Sequence, residues 1–231
     1  MSERIVLTER WNEIDEVCVL IKKIKGFQNS KGDFRGVPLG DSNIRNNIDE
    51  QSFRNCDFSF ASFENCNLTN VKFDNCIFNR ASLKYIRLWD CSFVNCTFKQ
   101  TDFKSAALGY KCTYEHCTFV NSKLNGKDFD FGNQTKYLNC KFLDCQIGST
   151  WILSVKFRDC TFNSQFKNVR FSGSLEVKLR KKKEFPASFI NCNLENSRFI
   201  NLEIMEGVIF ENSSLPKQDF TRTSIGSKYY E

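Results

Sequence analysis

FRNCDFSFASFENCNLTNVKFDNCIFNRASLKYIRLWDCSFVNCTF, residues 53–98, carries a large apolar residue at every fifth position. The series Phe53, Phe58, Phe63, Leu68, Phe73, Phe78, Leu83, Leu88, Phe93 and Phe98 runs on to Phe103 and Leu108, twelve in one register. Two residues before most of them stands a small side chain, as in Cys56, Ala61, Cys66, Val71, Cys76, Ala81 and Cys91. A period of five fits neither an α-helix nor a long strand of period two. A longer period lies above it. The string Phe-x-Asn-Cys-x-Phe begins at Phe53, Phe73 and Phe93, 20 residues apart, and returns in altered form from Tyr114, Tyr137, Phe157, Phe189 and Phe210.

The physical reading is a square coil. Each pentapeptide makes one short side: two inward residues two apart, as a strand requires, then a turn. Four sides make a coil of 20 residues, and equivalent positions stack about 4.8 Å apart. Eight coils give a rod roughly 40 Å long. With the sides numbered from Phe53, the columns are Phe53, Phe73 and Phe93 on side one, Phe58, Phe78 and Phe98 on side two, and Leu68, Leu88 and Leu108 on side four. Each coil buries its apolar residues against its neighbours, so one copy alone is not stable.

This pattern of small, polar, Leu/Phe, polar, polar resembles the pentapeptide-repeat family over about residues 53–225. The resemblance implies an all-β fold, a right-handed quadrilateral β-helix of about eight coils. Phe34, Leu39 and Ile44 are also five apart, so an imperfect early coil is expected over 34–52. Residues 8–25 read as an amphipathic helix, with Trp11, Ile14, Cys18 and Ile21 on one stripe, Thr8 as its cap and Gly26 as its stop. Residues 1–30 are then an N-terminal helix and lead-in, expected to cover the open end of the first coil or else to pair two copies. Residues 31–231 form the β-helix, with an insertion at 172–186 and one domain overall.

The 231 residues include 24 Phe but one His, 3 Pro and 11 Gly. A single His excludes a multi-histidine metal site, and no run is long and apolar enough for a membrane span. The opening MSERIVLTER lacks the apolar stretch of a secretory leader, so a reducing compartment is expected for the 12 Cys. Eleven of them occupy the small inward slot, where a thiol serves as a small buried group. His116 stands in the turn slot taken by Asn55, Asn75 and Asn95 in other copies, whose side chains suit bonds to nearby backbone at a tight corner. No nucleophile, phosphate-cradling loop or metal set emerges, so no catalytic residue, metal or cofactor is expected.

Departures from the period carry the functional reading. Extra residues fall between Leu108 and Tyr114, Phe129 and Tyr137, Phe171 and Phe189, and Ile204 and Phe210, all at the corner between side four and the next side one. Trp89 and Trp151 flank inward residues of side four, with Arg87 and Arg170 nearby. Tyr110, Phe131, Leu153 and Met205 lie at or beside the same corner. Exposed Trp, Tyr, Met and Arg are what interfaces favour. The expected function is therefore a non-catalytic scaffold presenting this face to a partner protein. The net charge is +6, and residues 163–188 hold seven basic and two acidic groups. The basic loop of Lys178, Arg180, Lys181, Lys182 and Lys183 offers a route to nucleic acid. The family resemblance implies a bacterial cytoplasm for the scaffold, and an alternative function, protection of a type II topoisomerase from quinolones by an acidic DNA mimic. A mimic must present negative charge, and the coils here are near neutral to basic. Tyr229 and Tyr230 are candidates to close the far end or to meet a second copy in a homodimer.

Overall fold

The computed structural model describes residues 3–12, 32–43, 45–172, 186–205, 207–216, 220–221 and 224–225. The chain winds as a right-handed quadrilateral β-helix of about eight coils. Short strands on each side pair in parallel with the strands one coil above and below. Side one is an eight-stranded sheet from Ser52–Arg54 to Ile209–Glu211, in which Phe53, Phe73, Phe93, Tyr114, Tyr137, Phe157, Phe189 and Phe210 stand in register.

The spacing of the ladder dictates the packing of the core. Ring centroids along side two lie 5.3 Å apart for Phe58 and Phe78, and 4.7 Å apart for Phe98–Phe119, Phe119–Phe142 and Phe142–Phe162. These are close to the strand separation of a sheet, so the backbone bonds hold the rings in offset stacks. Between sides the rings meet edge to face, as Phe73 does with Phe78 at 5.2 Å and 76°. Every ring in the middle of the rod therefore has partners above, below and to the side.

The corners turn through a left-handed residue. Asn55, Asn65, Asn75, Asn95, Asn121, Asn139 and Asn191 all have φ between 50° and 57°. Asn tolerates this region better than other non-glycine residues because its short polar side chain bonds locally. Here the amides bond along the rod, from one coil to another. Asn75 Nδ2 donates to Asn55 Oδ1 at 2.7 Å, Asn191 Nδ2 to Asp159 Oδ1 at 2.9 Å, and Asn201 Nδ2 to Asn168 Oδ1 at 2.8 Å. Asn75→Val should lower stability by about 2 kcal/mol, from a β-branched residue in the left-handed region and a lost ladder bond. Asn75→Gly, which keeps the turn, should cost less. The midpoints of chemical denaturation compare them, and equal midpoints would reject the corner argument.

Three expectations need correction. The described helix is Glu3–Glu9, and residues 13–25 of the helix expected over 8–25 lie outside the described residues. Thr8 lies in its last turn, with its hydroxyl donating to the Arg4 carbonyl at 2.9 Å, so it does not cap the start. Short turns from Thr8 to Trp11 and Glu9 to Asn12 end the helix, and Ile14, Cys18, Ile21 and Gly26 lie outside the described residues. The segment is pinned to the first coil. Trp11 packs on the core and donates its indole N–H to the Arg35 carbonyl at 2.9 Å. Arg35 and Arg10 both pair with Asp33, holding its carboxyl well below the usual range.

The second correction concerns the early coil. Its side-four residue is Ile48, paired above Leu68, and Ile44 lies outside the described residues.

The third concerns the added residues, which do not all fall at one corner. Asp130 pairs with Ala107, so Phe131, not Phe129, fills the slot of Leu108. The two additional residues of that coil lie at 126–128, between sides three and four, where Gly126 takes φ 121°. The following corner adds one residue at Gly132, as Gly109 does one coil earlier, with φ of 93° and 117°. Each is a bulge, and a Cβ on Gly132 would stand 2.2 Å from the Gly109 carbonyl oxygen.

Candidate functional site

Side four begins with a ladder of Ile48, Leu68, Leu88 and Leu108 inward, with Asn47, Asp49, Asn67 and Thr69 outward in its first two coils. At Leu108 the bulge of Gly109 carries Tyr110 into register with Trp89. In the next coils Phe131 and Ile152 continue the inward column, so Asp130 and Trp151 occupy the outward positions that precede it. Between the large outward residues stand Ala107, Gly109 and Gly132, which have little or no side chain. A wall of bulky groups with a small centre leaves a groove of about 340 Å³.

The groove brings together five of the residues singled out from the sequence: Arg87, Trp89, Tyr110, Trp151 and Leu153. Trp89, Tyr110 and Trp151 are 37%, 40% and 54% exposed, large values for such rings and the reason the patch stands out. Phe131 is not part of it. It is fully buried, packed edge to face against Tyr137 at 5.7 Å, because the shifted register turns it inward. Arg170 lies one coil beyond, its guanidinium 4.4 Å above the Trp151 ring and its Nε donating to Glu203 Oε2 at 2.6 Å. Met205 is half-buried farther along, its Sδ accepting from the Ser172 hydroxyl at 3.5 Å. The basic loop of Lys178, Arg180, Lys181, Lys182 and Lys183 lies outside the described residues, as do Tyr229 and Tyr230.

Two further residues line the groove. Asp130 Oδ1 accepts the Gly132 N–H at 2.6 Å, and no cation of the described residues pairs with the carboxylate. Burial pushes its pKa up to about 6, against a smaller opposing pull from the Gly132 bond. Asn133 presents a buried Oδ1 with no hydrogen-bond partner. Sequence reasoning missed both because the period of five, carried past Leu124 without allowance for Gly126, assigns Asp130 to the corner rather than the face.

The cysteines belong to the core. Among the described residues eleven are free and buried. Burial pushes Cys66 up to about 12 and Cys145 to about 11, so these thiols keep their protons and are poor nucleophiles. They also do more than fill space. Cys117 donates to the Phe93 carbonyl at 3.4 Å and Cys140 to that of Tyr114 at 3.4 Å. Thr101 and Ser122 do the same in that slot of side three, at 2.7 and 2.9 Å to Phe78 and Phe98. The small slot is thus a donor to the coil before it. Tyr114 and Tyr137 follow the glycine bulges, and their hydroxyls donate to Leu108 and Phe131 carbonyls at 3.3 and 3.0 Å. His116 turns a corner with its ring exposed, 3.6 Å from Glu115. No group of three or more metal-ligating side chains occurs among the described residues, and no helix there is long and apolar enough to cross a membrane.

The family model described as "Pentapeptide repeats (8 copies)" matches residues 52–84. Among solved structures, trypsin-treated QnrB1, a plasmid-mediated fluoroquinolone resistance protein, is similar over 86% of this chain and 92% of its own at 14% identity, with a TM-score of 0.41. HetL, a pentapeptide repeat protein involved in heterocyst differentiation regulation from the cyanobacterium Nostoc sp. strain PCC 7120, is similar over 92% of this chain and 98% of its own at 10% identity, with a TM-score of 0.40. No curated protein sequence matches the chain.

Proposed function

We propose that this chain, a pentapeptide-repeat protein whose coils carry the matched pattern on from Phe53 to Phe210, is a non-catalytic scaffold that presents side four to a partner protein. The observation that carries the reading is the groove with Trp89, Tyr110 and Trp151 exposed around a floor of small residues. Rigid aromatic anchors beside a concavity are what protein interfaces use for their energy, because ring burial is large and little side-chain freedom is lost. The parallel ladders beneath hold the rings at fixed spacing, so little ordering is required on association.

DNA mimicry is a weaker fit. Side four carries both signs, with Arg87 and Arg170 beside Asp130 and Glu203, where a mimic needs a run of negative charge. Affinity capture from the native host extract, analysed by mass spectrometry, tests the scaffold. Trp89→Ala with Trp151→Ala should abolish retention of the wild-type partner while the circular dichroism of the coil persists. Ile77→Ala, which trims an exposed residue on side two, should retain it. Retention by the Trp double variant would reject side four as the binding face.

A further inference from the structure

Two acceptors in the groove lack a protein donor among the described residues. The Asp130 carboxylate takes one backbone N–H, leaving the second oxygen without a protein donor among the described residues. Asn133 Oδ1 is buried and unpartnered. A buried acceptor without a donor, as Asn133 Oδ1 is, is costly, and a native structure keeps one where something else supplies the bond; the half-buried Asp130 carboxylate is open to the same donor. The rings of Trp89, Tyr110 and Trp151 line the same groove. The surroundings show what such rings take up: Arg170 stacks on Trp151 at 4.4 Å, and Lys111 lies 5.1 Å over Tyr110. No cation of the chain covers Trp89 among the described residues. Arg87 lines the end of the groove two coils from Asp130, with Ala107 between them, and makes no ion pair among the described residues.

Resting on the reading of side four as the binding face, we propose that the groove receives an arginine side chain of the partner protein. The guanidinium stacks against Trp89 and donates to Asp130 and to Asn133 Oδ1. A guanidinium suits this site better than an ammonium. It is flat, so it stacks on rings, and its five N–H groups form a fork that reaches two acceptors at once. A cavity of about 340 Å³ accommodates the side chain with its aliphatic stem against Leu153. The raised pKa of Asp130 agrees with a half-buried carboxylate that has no counter-charge among the described residues.

The test uses the full chain and acetyl-arginine amide as the probe, with acetyl-citrulline amide as its uncharged counterpart. The readout is the indole N–H resonances of Trp89 and Trp151 in nuclear magnetic resonance titrations. Arginine should give saturable shifts at Trp89, citrulline shifts at least about tenfold weaker, and Asp130→Asn should weaken the arginine response by about tenfold or more. Ala107→Trp, which fills the groove and keeps the carboxylate, should abolish the response and serves if Asp130→Asn alters the fold. Equal responses to arginine and citrulline, or an arginine response unchanged in Asp130→Asn, would overturn the proposal. No response to either probe, with partner capture still lost in the Trp double variant, would overturn the arginine occupant and leave the binding face standing. An arginine response with capture retained in that variant would keep the arginine site and remove the scaffold reading.

Discussion

Phe119→Ala should be among the most damaging single substitutions in the rod, costing about 3–5 kcal/mol. Phe119 is fully buried in the middle of the side-two column. Its ring stacks on Phe98 and Phe142 at 4.7 Å on both sides, and Tyr114 and Phe103 lie against its edges at about 6 Å. The ladder above and below prevents collapse, because the coil spacing is set by parallel strand pairs that include Thr118–Thr97 and Thr118–Lys141. The cavity therefore stays open and the full cost is felt. In a solenoid each coil is stabilised only by its neighbours, so a weak coil also uncouples the two halves. Denaturation followed by hydrogen exchange should show the coils on either side opening at different denaturant concentrations. Phe210→Ala, at a half-buried ring near the end of the same rod, should cost far less. A loss below about 1 kcal/mol in Phe119→Ala would show that the stacked column is not what holds the coils together.

The columns could be read from the sequence because a stacked coil repeats its environment: Phe53 meets Phe73 and Phe58 meets Phe78, each 20 residues on, and the period survives any one substitution. The places where reading failed are those where that repetition is interrupted. Gly126 inserts slack before side four, which moved Phe131 inward and Asp130 outward, and nothing local distinguishes that shift from an addition one corner later. Leu124 to Phe131 is seven positions, and both Phe129 and Phe131 satisfy an inward slot by type. The aromatic members of the groove were legible, since Trp89 and Trp151 break a polar rule at known register. Asp130 and Asn133 were not, since a single acid and a single amide among many surface ones show their meaning only when burial is known. The left-handed corners were half legible. Asn signals them, but Phe60, Arg80 and Tyr85 hold φ near 55–63° as well, imposed by the coil against their own preference. Of the helix expected over 8–25, only residues 8–12 are described, where the end of Glu3–Glu9 gives way to turns, so Thr8 is not its cap.

Asp130→Asn should stabilise the free protein while weakening arginine binding, and the gain should depend on pH. In the folded state the carboxyl has its pKa raised from 3.8 to about 6, a difference worth about 3 kcal/mol against the ionised form. The fold thus holds this proton more tightly than the unfolded chain does. Its contribution is fully favourable below about pH 4, declines as pH rises from there to about 6, and is then lost. The neighbouring titratable and charged groups do not reverse the sign. Arg87 and Tyr110 line the same groove, Tyr137 lies buried beneath with its hydroxyl on Phe131, and the cause of the shift is burial. Asp33 shifts the opposite way, but it is common to both proteins and cancels in the comparison. Wild type and Asp130→Asn should therefore unfold at nearly the same denaturant concentration near pH 4. Above about pH 6 the variant should be more stable, by up to about 3 kcal/mol. A gap that does not change with pH would mean that Asp130 is solvated in the folded protein. On the proposed reading of the groove, this cost at neutral pH is what an incoming counter-charge would relieve. The same experiment shows it directly: saturating acetyl-arginine amide should raise the wild-type midpoint and narrow the gap, because a counter-charge relieves the carboxylate that burial penalises.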